Sequence, residues 1–353
     1  MPVGWLASRP IFAKIMNQAR KLPLIGGGIV VALAVSYLLL PAQVQVEREI
    51  HIDAPRATVF ALVNDFRQYN KWSNWLDDDP NARLEFAGAE RGAGAIMQWS
   101  GNIVGQGRQE ITASVPFDAV TTEIRQGSEH RARTAFQLTD ADGGTQLRWS
   151  FDASFGMNPL RRFLGLMLDD IVLEDFDAGL NNLKALAESL PRGDFSDLNI
   201  EKVAVEAGDI ALLPVSSVPT PGKIAAALGD AYFDVLRFMD QHALQQAGSP
   251  MSISRGYSGS EILFDAGIPV HGVTAAHPRA GPGVRIARTY GGSVIRVKHV
   301  GSYRSLAATH DKIAAYLAAL GIERNGDAWE SYVSDPARVA EADILTYVYY
   351  PIR

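Results

Sequence analysis

The chain has 353 residues, 47% of them hydrophobic and 20% charged, with a formal net charge of −6. That length points to about two domains, and the composition excludes a disordered or collagen-like chain. The absence of cysteine excludes disulfides, thiolate nucleophiles and thiolate-held zinc or iron–sulfur clusters. The acidic balance argues against nucleic acid as a partner, because such binding runs on neutralising phosphates.

Residues 1–21 carry Arg9, Lys14, Arg20 and Lys21 and no acid. They are followed by an uncharged run at 22–40, LPLIGGGIVVALAVSYLLL. As a helix this run would span about 28 Å, close to the hydrocarbon thickness of a bilayer. A transmembrane helix is expected there, with the lipid bilayer as its partner. The basic segment 1–21 would stay cytoplasmic, which exports everything after residue 40. A cleaved signal peptide is the rival reading, weakened by Leu40 where a small residue is wanted and by the length of the apolar run. A buried helix is the third, weakened by Gly26-Gly27-Gly28. The expected location is a bacterial inner membrane, crossed once, with the globular part on the extracytoplasmic side.

Beyond Pro41 the pattern is that of soluble sequence. Residues 43–52 alternate apolar and polar, the period of a strand. A helix is expected from Pro55 to about Phe66, with Val59, Phe60 and Val63 on one side. Alternating runs at 95–100, 108–114, 120–125, 133–138 and 146–153 predict an antiparallel meander, with Asp142-Gly143-Gly144 as a hairpin turn. At 158–190 the period becomes helical, through Leu160, Phe163, Leu164, Met167, Ile171, Phe176, Leu180, Leu183 and Leu186. Pro191 ends this helix and 191–199 reads as a linker.

From residue 200 the sequence repeats itself. A strand at 210–215, a helix at 221–246 and strands at 251–257 and 261–270 are followed by a second set. That set is a strand at 293–300, a helix at 302–320 and strands at 329–333 and 343–352. Glu261-Ile262-Leu263 and Ile268-Pro269-Val270 match Asp343-Ile344-Leu345 and Tyr350-Pro351-Ile352 at a constant offset. Two strand–helix–strand–strand units should pair their sheets about a pseudo-twofold axis and leave a cleft there. The expected fold class is α+β.

Two stretches resemble known families. The run Ile52-Asp53-Ala54-Pro55, Val59-Phe60, Asp65-Phe66-Arg67-Gln68-Tyr69-Asn70-Lys71-Trp72-Ser73-Asn74-Trp75, and the helix ending Gly179-Leu180-Asn181-Asn182-Leu183-Lys184, resemble the SRPBCC superfamily, the START-like or polyketide-cyclase-like domains, over 43–190. The resemblance implies a helix-grip fold, an antiparallel sheet curved around a long helix and an apolar cavity. Residues 200–353 resemble the GyrI-like small-molecule-binding domain, also the effector-binding domain of AraC-type regulators. That resemblance rests on Phe264-Asp265-Ala266-Gly267-Ile268-Pro269-Val270, Gly301-Ser302-Tyr303 and Trp329-Glu330-Ser331-Tyr332-Val333-Ser334-Asp335-Pro336. It implies that Glu330 faces a polar or cationic ligand, with Tyr303, Trp329 and Tyr332 as walls, and that some relatives are hydrolases. No helix-turn-helix segment is found, so direct transcriptional control is not expected.

A carboxylate among aromatic faces suits a flat, apolar cation. The bland alternative makes Glu330 an ordinary strand charge. Trp72, Trp75, Trp99 and Trp149 either line a second ligand cavity or simply fill a core. Asp77-Asp78-Asp79 reads as a solvated loop, lacking the spacing of a calcium loop. No H-E-x-x-H, Walker or G-x-S-x-G motif occurs, so no metal site and no cofactor is expected. The sequence therefore predicts a membrane-anchored binding protein for small apolar molecules. The alternatives are a hydrolase using Glu330 as general base, and an envelope scaffold with vestigial pockets.

Overall fold

The computed structural model describes residues 43–77, 79–126, 130–154, 159–258, 260–279 and 283–353. The side chains of 130, 159–173 and 258 are outside that description. The expected membrane helix at 22–40 and the basic segment 1–21 also lie outside it. Among the described residues no helix is long and apolar enough to cross a membrane. The contacts divide the described chain into two compact units at Ser196/Asp197.

The first unit is a seven-stranded sheet in the order β1-β7-β6-β5-β4-β3-β2, antiparallel throughout. The strands are β1 (Gln43–Ile52), β2 (Arg83–Gly88), β3 (Ala95–Ser100), β4 (Gln106–Val115), β5 (Ala119–Gln126), β6 (His130–Ala141) and β7 (Gly144–Ser154). Five of them coincide with the alternating runs after β1. β2 is the strand the sequence hid: nearly all of it is exposed at the sheet edge, so no buried face imprints an alternation. Asp142 and Gly143 both take positive φ (47° and 78°), the two-residue turn that an Asp-Gly pair favours.

The helix expected from Pro55 divides into α1 (Arg56–Val63) and α2 (Phe66–Tyr69). Asp65 makes the break: its extended backbone stops one helix, and its carboxylate accepts from the Arg67 N–H at 2.8 Å to start the next. α3 (Pro159–Ser189) is the long helix expected at 158–190. One apolar core joins its inner face to α1 and the sheet through Ile52, Leu62, Met97, Ile111, Phe136, Leu147, Leu180 and Leu183.

The second unit holds β8 (Ile200–Val205), β9 (Asp209–Ser217), α4 (Pro221–Gln241), β10 (Gln245–Gln246), β11 (Met251–Ser258), β12 (Glu261–His271), β13 (Arg285–Arg288), β14 (Gly292–Val300), α5 (Leu306–Leu320), β15 (Trp329–Tyr332) and β16 (Leu345–Pro351). Its sheet runs β13-β9-β12-β11-β15-β16-β14-β8, with β10 attached to β12, again all antiparallel. The first set contributes β9-β12-β11 and the second β15-β16-β14, one order reversed against the other about the β11–β15 junction. That palindrome is what a duplicated strand–helix–strand–strand unit produces. α4 stops short of the expected 246: Ala243 takes φ 52°, and the chain turns to lay Gln245–Gln246 beside Val270 and His271. The two antiparallel sheets with helices packed on them make an α+β protein.

Candidate functional site

β15 is central in its sheet, between β11 and β16, and Glu330 pairs with Ser252 on one side and Val348 on the other. Glu330 therefore stands at the junction of the two repeats. Successive side chains of a strand point to opposite faces. Glu330 and Tyr332 share the face covered by α5. Trp329 and Ser331 share the other.

The α5 face is built by spacing. Leu306, Ile313 and Leu317 pack on Ile295, Val297 and Val348, and His310 lies on the same stripe at helical intervals. The His310 Nε2 lies 2.8 Å from Glu330 Oε1, and its Nδ1 2.7 Å from the Tyr350 hydroxyl. A carboxylate only accepts, so Nε2 carries a proton toward Glu330; in the neutral imidazole Nδ1 then accepts from the Tyr350 hydroxyl. The Tyr332 hydroxyl donates to the other oxygen, Oε2. Each Glu330 oxygen thus has one donor and a lone pair to spare, and the side chain keeps 21% of its exposure.

Four tyrosines surround this carboxylate. Burial, then the Glu330 charge, holds the Tyr332 phenol well above its ordinary value. Burial first and Glu330 second also raise Tyr232, on α4, whose hydroxyl donates to the Met251 carbonyl at 2.9 Å. Burial pushes Tyr350 up to about 12, with Glu330 adding to the effect. Tyr303 meets Tyr332 edge to face at 5.5 Å, and its phenol is raised by burial, then by Asp335 and Glu330. All four phenols remain protonated donors near neutral pH.

Of the residues singled out in this half, Glu330, Tyr303 and Tyr332 come together. Trp329 does not join them: it is buried on the opposite face among Ile210, Leu212, Met251 and Val294, stacked on Tyr349 at 4.9 Å. Strand alternation, visible in Trp-Glu-Ser-Tyr itself, separates it from Glu330. Sequence reasoning missed His310, Tyr350 and Tyr232. His310 had a signal, a polar residue set into an apolar helical stripe. Tyr350 had one in the repeat itself, where it stands at the position of Ile268 in the first copy.

In the first unit Trp72, Trp99 and Trp149 are buried in the core and Trp75 packs against it. They form two contacts, Trp72 with Trp149 at 5.6 Å and Trp75 with Trp99 at 4.9 Å. Trp72 donates its indole N–H to the Leu62 carbonyl and Trp149 to the Thr134 hydroxyl. The indole nitrogens of Trp75 and Trp99 are buried without a partner. Asp79 departs from the solvated-loop expectation: it is 5% exposed, and its carboxylate accepts from the backbone N–H of Ile103 and Val104. No group of three or more potential metal ligands occurs among the described residues.

Residues 43–188 match the family model for polyketide cyclase / dehydrase and lipid transport, under half of the chain. No curated protein matches. Among solved structures, the chain is similar to the C-terminal domain of EcmrR, at 11% identity and a TM-score of 0.36, over 44% of this chain and 98% of that one. A hydrolase from Listeria innocua gives 13% identity and a TM-score of 0.32 over 44% and 91%. Ara h 8.0201 gives 16% identity and a TM-score of 0.31 over 40% and 99%.

Proposed function

We propose that the chain is a membrane-anchored binding protein for small, mainly apolar molecules, with a site for a cationic or polar ligand centred on Glu330. The observation that carries the second site is the carboxylate at the repeat junction, fixed by His310 and Tyr332 among four tyrosines, with lone pairs still free. A cation would take those lone pairs and lie against the rings. The GyrI-like reading of 200–353 belongs to this proposal, supported by the palindromic strand order. The match of 43–188 to a family that includes lipid transport supports an apolar ligand for the first unit. The uncharged run at 22–40 and its basic flank support a single crossing of a bacterial inner membrane with both units exported. The net charge of −6 supports small molecules rather than nucleic acid as partners.

Tetraphenylphosphonium and tetraphenylborate have one shape and opposite charges. Isothermal titration of the full chain should show binding of the cation only, weakened about tenfold or more by Glu330→Gln. Equal binding of both ions, or no effect of the substitution, would overturn the reading. Protease protection in membrane vesicles tests the topology.

The line from Tyr350 through His310 to Glu330 favours one second reading, a hydrolase with Glu330 as general base. A carboxylate with an oriented histidine beside it can activate water. This reading requires turnover of an activated ester such as 4-nitrophenyl acetate, lost in Glu330→Gln while binding persists.

A further inference from the structure

The four tryptophans of the first unit differ in one respect that packing alone does not explain. Trp72 and Trp149 are equally enclosed, and both give their N–H to an oxygen of the protein. Trp75 and Trp99 give theirs to nothing, although both nitrogens are shut off from water. A buried indole normally finds an acceptor, because the donor otherwise loses its hydration without return. The two rings meet at 70°, so one N–H can lean on the face of the other ring, and geometry forbids both doing so.

The two tryptophans are also held differently. Trp99 is 7% exposed and fixed within β3, and its indole ring packs on Gly107 of β4, where a Cβ would come within 2.2 Å of the ring. Trp75 is only partly buried and belongs to turns, not to a strand. The chain before it is tied by Asn182 to the Trp72 carbonyl, and the chain after it by Asp79 to Ile103 and Val104. Trp75 is therefore the less firmly held side of the seam.

We infer that this seam binds the oxygen of an apolar molecule carrying a carbonyl or carboxyl group, which accepts from the Trp75 and Trp99 indole N–H groups. The inference rests on the apolar-ligand reading of the first unit and adds the polar group by which the ligand is oriented. A molecule with that oxygen satisfies two orphan donors at once, whereas a pure hydrocarbon of the same shape leaves them unmade.

The probes are 2-acetylnaphthalene and 2-ethylnaphthalene, matched in shape and differing in the oxygen. They are titrated into the full chain labelled with 15N-tryptophan, whose six indole signals are assigned by substitution. The ketone should bind about tenfold tighter or more, and it alone should move the Trp75 and Trp99 N–H signals downfield. Trp75→Phe with Trp99→Phe should erase the ketone's advantage and leave the hydrocarbon's affinity nearly as it was. Equal affinity of the two probes, or ketone binding with those two signals unmoved, overturns the inference and leaves the apolar-ligand reading standing. Failure of both probes to bind overturns the two together. Should the double variant not fold, the indole shifts of the unmodified chain decide.

Discussion

Replacing Tyr332 by phenylalanine removes one hydroxyl from the group that holds Glu330 and leaves the ring in place. That hydroxyl donates to a carboxylate, and hydrogen bonds to charged groups contribute about 1.5–3 kcal/mol, against about 0.5–1.5 for neutral pairs. Glu330 keeps 21% of its exposure, so water recovers part of the loss, and Tyr332→Phe should cost about 1.5–2 kcal/mol. In the Glu330→Gln background the same change removes a neutral bond and should cost about 0.5–1 kcal/mol. The four proteins form a double-mutant cycle with a coupling of about 1 kcal/mol. Native-state amide exchange of β15 and β16 reads the second unit separately from the first, which a global unfolding curve would not. A coupling within about 0.5 kcal/mol of zero, the range for independent sites, would refute the assignment of the Tyr332 hydroxyl to the carboxylate.

Alkali should loosen the second unit before the first. Tyr232, Tyr332 and Tyr350 all have phenols raised from 10.0, so the stability they confer is whole below pH 10 and is lost as pH climbs through the raised values. For Tyr350 the window runs from 10.0 to about 12, and Tyr350→Phe should flatten that part of a stability–pH curve followed by denaturant unfolding. Gly107→Ala drives a Cβ to 2.2 Å from the Trp99 ring and should cost about 1–3 kcal/mol by overpacking, read as a lowered midpoint of thermal unfolding. Asp79→Ala abandons two backbone donors that have no other acceptor among the described residues and should cost about 1–3 kcal/mol, with faster amide exchange at Ile103 and Val104; unchanged exchange there would count against the anchoring role.

Periodicity made most of the framework readable. Alternation marked β1 and β3–β7 because each has one buried face, and three-four spacing marked α3 and α5 for the same reason. β2 escaped because an exposed edge strand has no face to declare, and the ends of α4 escaped because a backbone turn at Ala243 leaves no hydrophobic trace. The site was half legible. Glu330 and Tyr332 sit in one short motif, and the resemblance to the GyrI-like domain implied that this motif faces the cleft between the repeats. Tyr232 reaches Glu330 from a helix about a hundred residues earlier, a proximity that only the folded pairing creates. Trp329 shows the opposite error: adjacency in sequence put it beside Glu330, while a strand's pleat turns it away. The indole pairs were legible as aromatic residues and nothing more, since whether an N–H finds an acceptor is decided by loops and strands far apart in the chain.

The mirrored halves of the second unit have become unequal partners. The acid, its histidine and three of its phenols come from the later half, whereas the earlier half lends little more than Tyr232 and the strand carrying Ser252. Under the proposed binding reading, changes in α4 would alter the neighbourhood of Glu330 while the groups that hold its negative charge stay untouched. In that reading, breadth and grip would be written on different copies of one repeated piece.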